Sequence, residues 1–192
     1  MKIVCATHNR HKIEEISAQL AGIHEIVTLS EIGCFEDIPE DEDTFAGNAL
    51  QKARYVKQHY GFDCFADDSG LEAEALGNRP GVYSARYAGE DKDSDKNIDK
   101  LLGELEDADD RRARFRTVIA FVTDSGEYLF EGKIEGEIMR ERHGTGGFGY
   151  DPIFRPQGYE CTFAEMSSGE KNLISHRAIA VKKLSEFIKE NF

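Results

Sequence analysis

The chain has 192 residues, with 24 lysines and arginines against 37 aspartates and glutamates, so its formal charge is −13. This charge argues against a protein that binds DNA, RNA or an anionic membrane, because such proteins neutralise phosphates with an excess of lysine and arginine. Apolar residues form 40% of the chain and charged residues 32%, which is typical of a globular protein and excludes wholesale disorder.

No apolar run approaches the roughly 20 residues that cross a bilayer. The first ten residues, MKIVCATHNR, lack the apolar segment and cleavage site of a secretory signal. We therefore expect a cytoplasmic protein that does not associate with membranes. The four cysteines are widely separated and include no CxxC pair, so they predict neither a zinc site nor a disulfide framework.

The chain begins with a pattern that predicts a strand, a polar turn and a helix. Residues 3–6 are apolar, and Ile13, Ile16 and Leu20 recur at helical spacing. The turn at residues 7–12 places hydroxyl, amide and ammonium groups beside the unpartnered N–H groups of a helix N-terminus, an arrangement that binds phosphate. Taken alone, an ordinary capped turn is the simpler interpretation.

A second helix is predicted between Thr44, a favourable N-cap, and Gly61. Six acidic residues precede it at positions 36–43. Carboxylates of this kind suit Mg²⁺, although most acids in such a loop are simply solvated. Asn48 and Lys52 share one face of the helix, and this pair alone is more typical of a solvated surface.

Residues 62–66 predict a short buried strand that leads into Asp67 and Asp68. Two adjacent carboxylates at this point need cationic partners, because an unpaired buried charge costs several kcal/mol. Neighbouring side chains of an extended segment point to opposite faces, so only one of the two is expected to face a given site. A turn over residues 67–70 that caps the strand is the alternative.

The second half of the chain predicts a helix at 97–105, a hairpin of strands 114–123 and 127–139, and a final helix at 175–191. Helices interleave with strands at the start, whereas the middle contains the hairpin. This order predicts an α/β protein with a mixed central sheet flanked by helices.

A glycine-rich segment at 144–151 formally contains GxGxxG. No βαβ unit surrounds it, so we reject a dinucleotide-binding interpretation. A plain loop and a loop that closes over a flat ring with its aromatic side chains both remain open. His176 and Arg177 begin the last helix, where cations oppose the helix dipole, and such exceptions often mark functional sites.

Together these segments resemble the inosine triphosphate pyrophosphatase family, also called the Ham1 or non-canonical purine nucleoside triphosphate pyrophosphatase family. The segments that match occur in family order across nearly the whole chain, and they are THNRHK at 7–12, TF at 44–45, NA at 48–49, KA at 52–53, ADDSGL at 66–71, PGVYSARY at 80–87, residues 144–152, EKN at 170–172 and SHR at 175–177. Each motif is weak alone, and their combination is highly specific.

The resemblance implies a single domain over residues 1–192, with two lobes around a long active-site cleft, in a homodimer. It implies hydrolysis of ITP, dITP and XTP to the monophosphate and pyrophosphate with Mg²⁺. By the same resemblance, Asp68 is the base and a metal ligand, and Glu40 is the other metal ligand. The implied substrate contacts are Thr7, His8, Asn9, Arg10, His11, Lys12, Lys52, Ser69, Phe148, Gly149, Tyr150, Asp151, Lys171, His176 and Arg177.

One position departs from the family pattern. Many members carry Glu immediately before the Asn of the second helix, and this chain has Gly47. The choice of Glu40 over Asp41 or Glu42 as metal ligand is therefore open. Two other functions also stay open: a regulator that binds nucleotides without hydrolysis, and a related Maf-type pyrophosphatase that acts on modified pyrimidine or 7-methylguanine nucleotides.

Overall fold

Strands and helices alternate along much of the chain, which a computed structural model describes for residues 2–20 and 25–192. The strands are β1 (Lys2–Cys5), β2 (Glu25–Thr28), β3 (Cys64–Ala73), β4 (Arg79–Pro80), β5 (Arg112–Thr123), β6 (Gly126–Ile138) and β7 (Phe154–Pro156). The helices are α1 (Arg10–Leu20), α2 (Phe45–Tyr60), α3 (Ser94–Glu104), α4 (Ser168–Ile174) and α5 (His176–Asn191).

The strand order is β2-β1-β3-β5-β6-β7, and β4 pairs with β3. Strand β1 is parallel to β2 and β3, whereas β4 and β7 are antiparallel to their neighbours. The predicted mixed α/β architecture is therefore confirmed.

The chain divides into two units. The first unit contains residues 1–68, 117–132 and 177–192. In this unit the alternating side chains of each strand separate two cores. In β1 and the first part of β3, even-numbered residues such as Val4 and Ala66 pack with Ala53 of α2, and odd-numbered residues such as Cys5 and Phe65 pack with α1 and α5. The parity of a residue at the end of β1 or β3 therefore decides which helices it meets.

The second unit contains residues 69–116 and 133–176. Its core joins Leu71 of β3 and Phe115 of β5 to Leu101 of α3, Phe154 of β7 and Phe163 of the loop that follows β7. The rings of Phe115 and Phe154 meet edge to face, with centroids 4.7 Å apart. The base of this unit is therefore rich in aromatic contacts.

The predicted second helix is confirmed in detail, because Thr44 accepts the N–H of Gly47 and Gly61 ends the helix with φ +77°. The hairpin of β5 and β6 is also confirmed. The predicted end of the third strand is wrong: β3 does not stop at Ala66 but continues through Asp67 and Asp68 to Ala73. Among the described residues, no helix is both long and apolar enough to span a membrane.

Candidate active site

The polar turn between β1 and α1 is held by its own side chains. The hydroxyl of Thr7 accepts the N–H of Asn9 at 3.1 Å, and the side-chain oxygen of Asn9 accepts the N–H of Lys12 at 3.3 Å. His8 joins the turn to the acidic loop through the carbonyl of Glu36, 3.1 Å from its Nε2. His8, Asn9, Arg10 and His11 are exposed, and Thr7 and Lys12 are half-buried. The first turn of α1 contains no acid, so its N-terminus keeps its partial positive charge.

Asp67 is a buried anion held by cations of the first unit. Its Oδ2 lies 2.9 Å from Lys12 Nζ and 3.5 Å from Arg177 Nε. Its backbone carbonyl accepts a hydrogen bond from Lys52 Nζ at 2.6 Å. Burial alone would raise the pKa of Asp67, but the charges of Lys12, Arg177 and Lys52 hold it well below its usual range. The expectation that a cation compensates one of the two aspartates is confirmed here.

Asp68 lies on the opposite face of β3, toward α2, as strand alternation predicts. Its Oδ2 accepts a hydrogen bond from Asn48 Nδ2 at 2.9 Å. Burial raises the pKa of Asp68, and the charges of Lys52 and Lys12 offset this effect only in part. The carboxylate is therefore a stronger base than an exposed aspartate. The alternative of a turn at residues 67–70 is wrong, because this segment is extended.

Lys52 connects the acidic loop to β3. Its side chain is 6% exposed, and its ammonium forms an ion pair with Glu40 while it donates to the carbonyl of Asp67. Burial would lower the pKa of Lys52, but the charges of Glu40, Asp67 and Asp68 raise it above its ordinary value. The solvated-surface interpretation of Asn48 and Lys52 is thus wrong, since both are buried. Asn48 donates to the carboxylate of Asp68, and Lys52 donates to the backbone carbonyl of Asp67.

The acidic loop that carries Glu40 is docked on α2. The N–H of Asp41 donates to Gln51 at 3.2 Å, and the N–H of Glu42 donates to Asn48 Oδ1 at 2.9 Å. A Cβ atom at Gly47 would lie only 2.7 Å from the Cβ of Glu42. The departure from the family pattern at Gly47 therefore has a local reason: in this chain the loop needs the space that a side chain there would fill.

Arg177 is the most deeply buried of the predicted substrate contacts, with 1% exposure. Its guanidinium donates to Glu15 on α1 at 2.5 Å as well as lying beside Asp67. Arg177 therefore ties the start of α5 to α1 and β3. Sequence reasoning assigned no role to Glu15, and nothing in the spacing of residues distinguishes it from Glu14, the other acid of α1.

The glycine-rich segment of the second unit is closed on Asp151. This carboxylate is 2% exposed, and its Oδ2 accepts the N–H of Phe148 at 2.8 Å and the ammonium of Lys171 at 2.7 Å. The ammonium also lies 4.7 Å from the ring centroid of Phe148, within cation–π range. Gly147, with φ +69°, has no room for a side chain because a Cβ atom there would overlap the carboxylate of Asp151.

The rest of this segment is also fixed. Tyr150 is buried and donates to the carbonyl of Ser84 at 2.8 Å, while Gly149 and Ser69 are half-buried. A short 3₁₀ helix, Asp151–Ile153, and strand β7 follow, where a dinucleotide-binding loop would lead into an α-helix. Lys171 lies in α4, a helix that the sequence analysis missed and that begins with a capping box of Ser167 and Glu170.

His176 occupies the first position of α5 and is buried at 4% exposure. Its imidazole is stacked on Phe115, with ring centroids 4.7 Å apart and planes only 9° from parallel. The structure thus brings together two sets of predicted site residues. The first unit holds Lys12, Glu40, Lys52, Asp68 and Arg177, and the second unit holds Phe148, Asp151, Lys171 and His176.

The Ham1 family profile matches residues 3–187. The chain belongs to the Ham1 family. It is 54% identical over 188 residues to the dITP/XTP pyrophosphatase of Christiangramia forsetii, covering 98% of this chain and 99% of the relative. It is 56% identical to the dITP/XTP pyrophosphatase of Porphyromonas gingivalis, with 97% of each chain covered.

Solved Ham1 structures have the same fold. The Ham1 protein of Staphylococcus aureus superposes with a TM-score of 0.92 and 38% identity over 100% of both chains. The HAM1 protein of Coxiella burnetii gives a TM-score of 0.92 and 41% identity over 99% of both chains. The resemblance read from the short motifs, including the mixed α/β fold, is thereby confirmed.

Proposed function

We propose that this protein hydrolyses the non-canonical purine nucleoside triphosphates ITP, dITP and XTP to the monophosphate and pyrophosphate. Family membership and the dITP/XTP pyrophosphatase relatives support this reaction. The observation that carries it is the chemistry around Asp68: a buried carboxylate with a raised pKa, near two lysines, next to a second carboxylate that cations already neutralise. One residue is thus suited to accept a proton and its neighbour to hold the lysines in place.

Asp68 would take a proton from the water that attacks the α-phosphorus. The new bond joins the water oxygen to the α-phosphorus, the bond to the bridging oxygen of the β-phosphate breaks, and pyrophosphate leaves. Asn48 would orient the carboxylate through its 2.9 Å hydrogen bond. Lys12 and Lys52 would offset the charge on the phosphates, supported by the exposed donors at residues 8–11.

Glu40 and Asp68 suit Mg²⁺, which takes one or two protein carboxylates and completes its shell with water and phosphate oxygens. Lys12, Lys52 and Arg177 oppose the four carboxylates of Glu15, Glu40, Asp67 and Asp68, so the set has one negative charge in excess. Among the described residues, no group of three or more His, Cys, Asp or Glu is placed to hold a metal. When bound, Mg²⁺ would supply charge neutralisation for the triphosphate.

The purine would be bound by residues of the second unit together with Arg177. The ring of Phe148, with Gly149 and Tyr150, would cover the base, while Asp151, Lys171 and Ser69 complete the proposed contacts. His176 and Arg177 would donate to the 6-oxo group. A 6-amino group presents a donor instead, which leaves these donors unpaired and disfavours ATP. We further propose that the protein is a homodimer that acts on the free nucleotide pool of the cytoplasm.

The first experiment is to incubate the protein with ITP, XTP, dTTP or ATP plus Mg²⁺ and to measure pyrophosphate and orthophosphate separately. We expect much faster release of pyrophosphate from ITP and XTP than from ATP, and none from dTTP. Binding of ITP without any product would support a nucleotide-binding regulator, and turnover of dTTP would support a Maf-type enzyme. Orthophosphate alone would indicate stepwise removal of the γ-phosphate and would contradict the proposal.

The second experiment replaces the base. Asp68→Asn should lower kcat by about 10²–10⁴-fold, the usual contribution of a general base, while calorimetry still detects ITP binding. Asp63→Asn is the matched control, because Asp63 lies just before β3 and pairs with Lys57 at 2.8 Å. Unchanged turnover in Asp68→Asn would exclude its proposed role.

A further inference from the structure

Phe115 is the aromatic side chain on which His176 rests. The two rings are nearly parallel, at 9°, with centroids 4.7 Å apart. Both nitrogens of an imidazole lie in the ring plane, so any hydrogen bond from His176 must leave along that plane. A neighbour that fixes the plane therefore also fixes the directions in which His176 donates.

Phe115 is itself firmly held. It lies on β5 with 7% exposure. Its ring centroid lies 4.7 Å from that of Phe154, in an edge-to-face contact, and 6.0 Å from that of Phe163, with the planes 26° apart. Phe154 and Phe163 are fully buried, and their ring centroids are 5.3 Å apart. We call Phe115, Phe154 and Phe163 the aromatic cluster. A close-packed group of three rings has little freedom to tilt, so the plane it offers to the imidazole is fixed.

The aromatic cluster also contacts Lys171, which binds the segment proposed to cover the purine. The ammonium of Lys171 lies 5.6 Å from the ring centroid of Phe163 and 4.7 Å from that of Phe148. The same ammonium forms the ion pair with Asp151 at 2.7 Å. One buried cluster thus supports both His176 and the segment that carries Phe148.

We propose that Phe115 is a positioning residue for base selection: by stacking on His176, it aims the imidazole donor at the 6-oxo group of the purine. This inference rests on the proposed function and adds a residue outside the motifs of the site. Phe115 does not touch the substrate in this scheme. Its effect is on the ratio of kcat/KM for ITP to kcat/KM for ATP, since only the oxo substrate benefits from a correctly aimed donor.

The test compares Phe115→Leu with Phe121→Leu. Phe121 is a matched control because it is a buried phenylalanine on the same strand that packs in a core of the first unit. Both changes remove a ring and lower stability. Loss of one aromatic stacking contact corresponds to a change of about tenfold at most. We expect the ITP-to-ATP ratio to fall by about two- to tenfold in Phe115→Leu and to stay unchanged in Phe121→Leu.

A double-mutant cycle separates positioning from general damage. In a His176→Ala background, Phe115→Leu should have no further effect on the ratio, because the donor that it aims is gone. An equal effect of Phe115→Leu in both backgrounds would overturn the proposal, and so would an unchanged ratio in Phe115→Leu alone. Phe115→Met, which keeps side-chain bulk without a flat ring, provides the same comparison if the leucine variant does not fold.

The outcome is distinct from failure of the proposed function. If the wild-type protein releases no pyrophosphate from ITP, the function itself is wrong. If it does, and His176→Ala lowers the ratio while Phe115→Leu does not, the function stands and the role of Phe115 is wrong.

Discussion

Asn48 offers a sharp test of the proposed base, because its amide binds two partners at once. It donates to Asp68 at 2.9 Å and accepts the N–H of Glu42 at 2.9 Å. The hydrogen bond to Asp68 stabilises the charged carboxylate and lowers its pKa, against the effect of burial. Asn48→Leu removes this support, so the pKa of Asp68 should rise and the acidic limb of the rate profile should move to higher pH.

The expected size follows from the type of bond. A hydrogen bond to a charged group contributes about 1.5–3 kcal/mol, and 1.4 kcal/mol corresponds to a factor of ten. On the acidic limb, kcat/KM for ITP should therefore fall at least about tenfold, while the loss on the alkaline side, where Asp68 is already ionised, is smaller. The assay is pyrophosphate release at low substrate concentration across a pH series.

Gln51→Leu is the matched control. Gln51 lies on the same helix and also accepts an N–H from the acidic loop, that of Asp41. Its loss disturbs loop docking without removing the hydrogen bond from Asn48 to Asp68. If both variants lower the rate equally at every pH, Asn48 acts only on the loop, and the assignment of Asp68 as a base supported by Asn48 is wrong.

Two further changes test the surroundings of the site. Asp67→Asn leaves Arg177 and its neighbours without their shared anion, so the free energy of unfolding measured in urea should fall by about 3–5 kcal/mol. The pKa of Asp67 is lowered in the folded protein, so the stabilisation is complete at pH values above the ordinary aspartate pKa of 3.8 and is lost as the pH falls below it. A difference in unfolding free energy between wild type and variant that grows toward lower pH would contradict the assignment. Gly147→Ala should raise KM for ITP by displacing Asp151, whereas Gly158→Ala, at a similar φ of +86° with open space around it, should not; equal effects on KM would show that backbone strain alone is responsible.

Sequence patterns predicted the helices and strands whose caps and apolar periodicity lie within the element itself. The second helix is fixed by Thr44, an apolar stripe and Gly61, and all three act as expected. Strand β2 has four residues and α4 has seven, too few for a periodic pattern to show. The sequence prediction ended β3 at residue 66 because the aspartates, serine and glycine that follow are typical of turns.

The candidate site shows the same division between local and distant causes. The sequence alone indicated that Asp67 or Asp68 needs a cation, but it did not identify Lys12 and Arg177 as the partners, since they are 55 and 110 positions away from Asp67 in the chain. Burial of Lys52 was missed for a related reason: its partner Glu40 lies in a loop without any periodic pattern. Tertiary contacts decided these positions, and no local propensity encodes them.

The site of water attack tests the central claim most directly. ITP is hydrolysed in water enriched in ¹⁸O, and mass spectrometry of the separated products measures the ¹⁸O content of each. Attack at the α-phosphorus places one ¹⁸O atom in the monophosphate and none in pyrophosphate. Label in pyrophosphate or in orthophosphate, with an unlabelled nucleotide product, would contradict the mechanism proposed for Asp68.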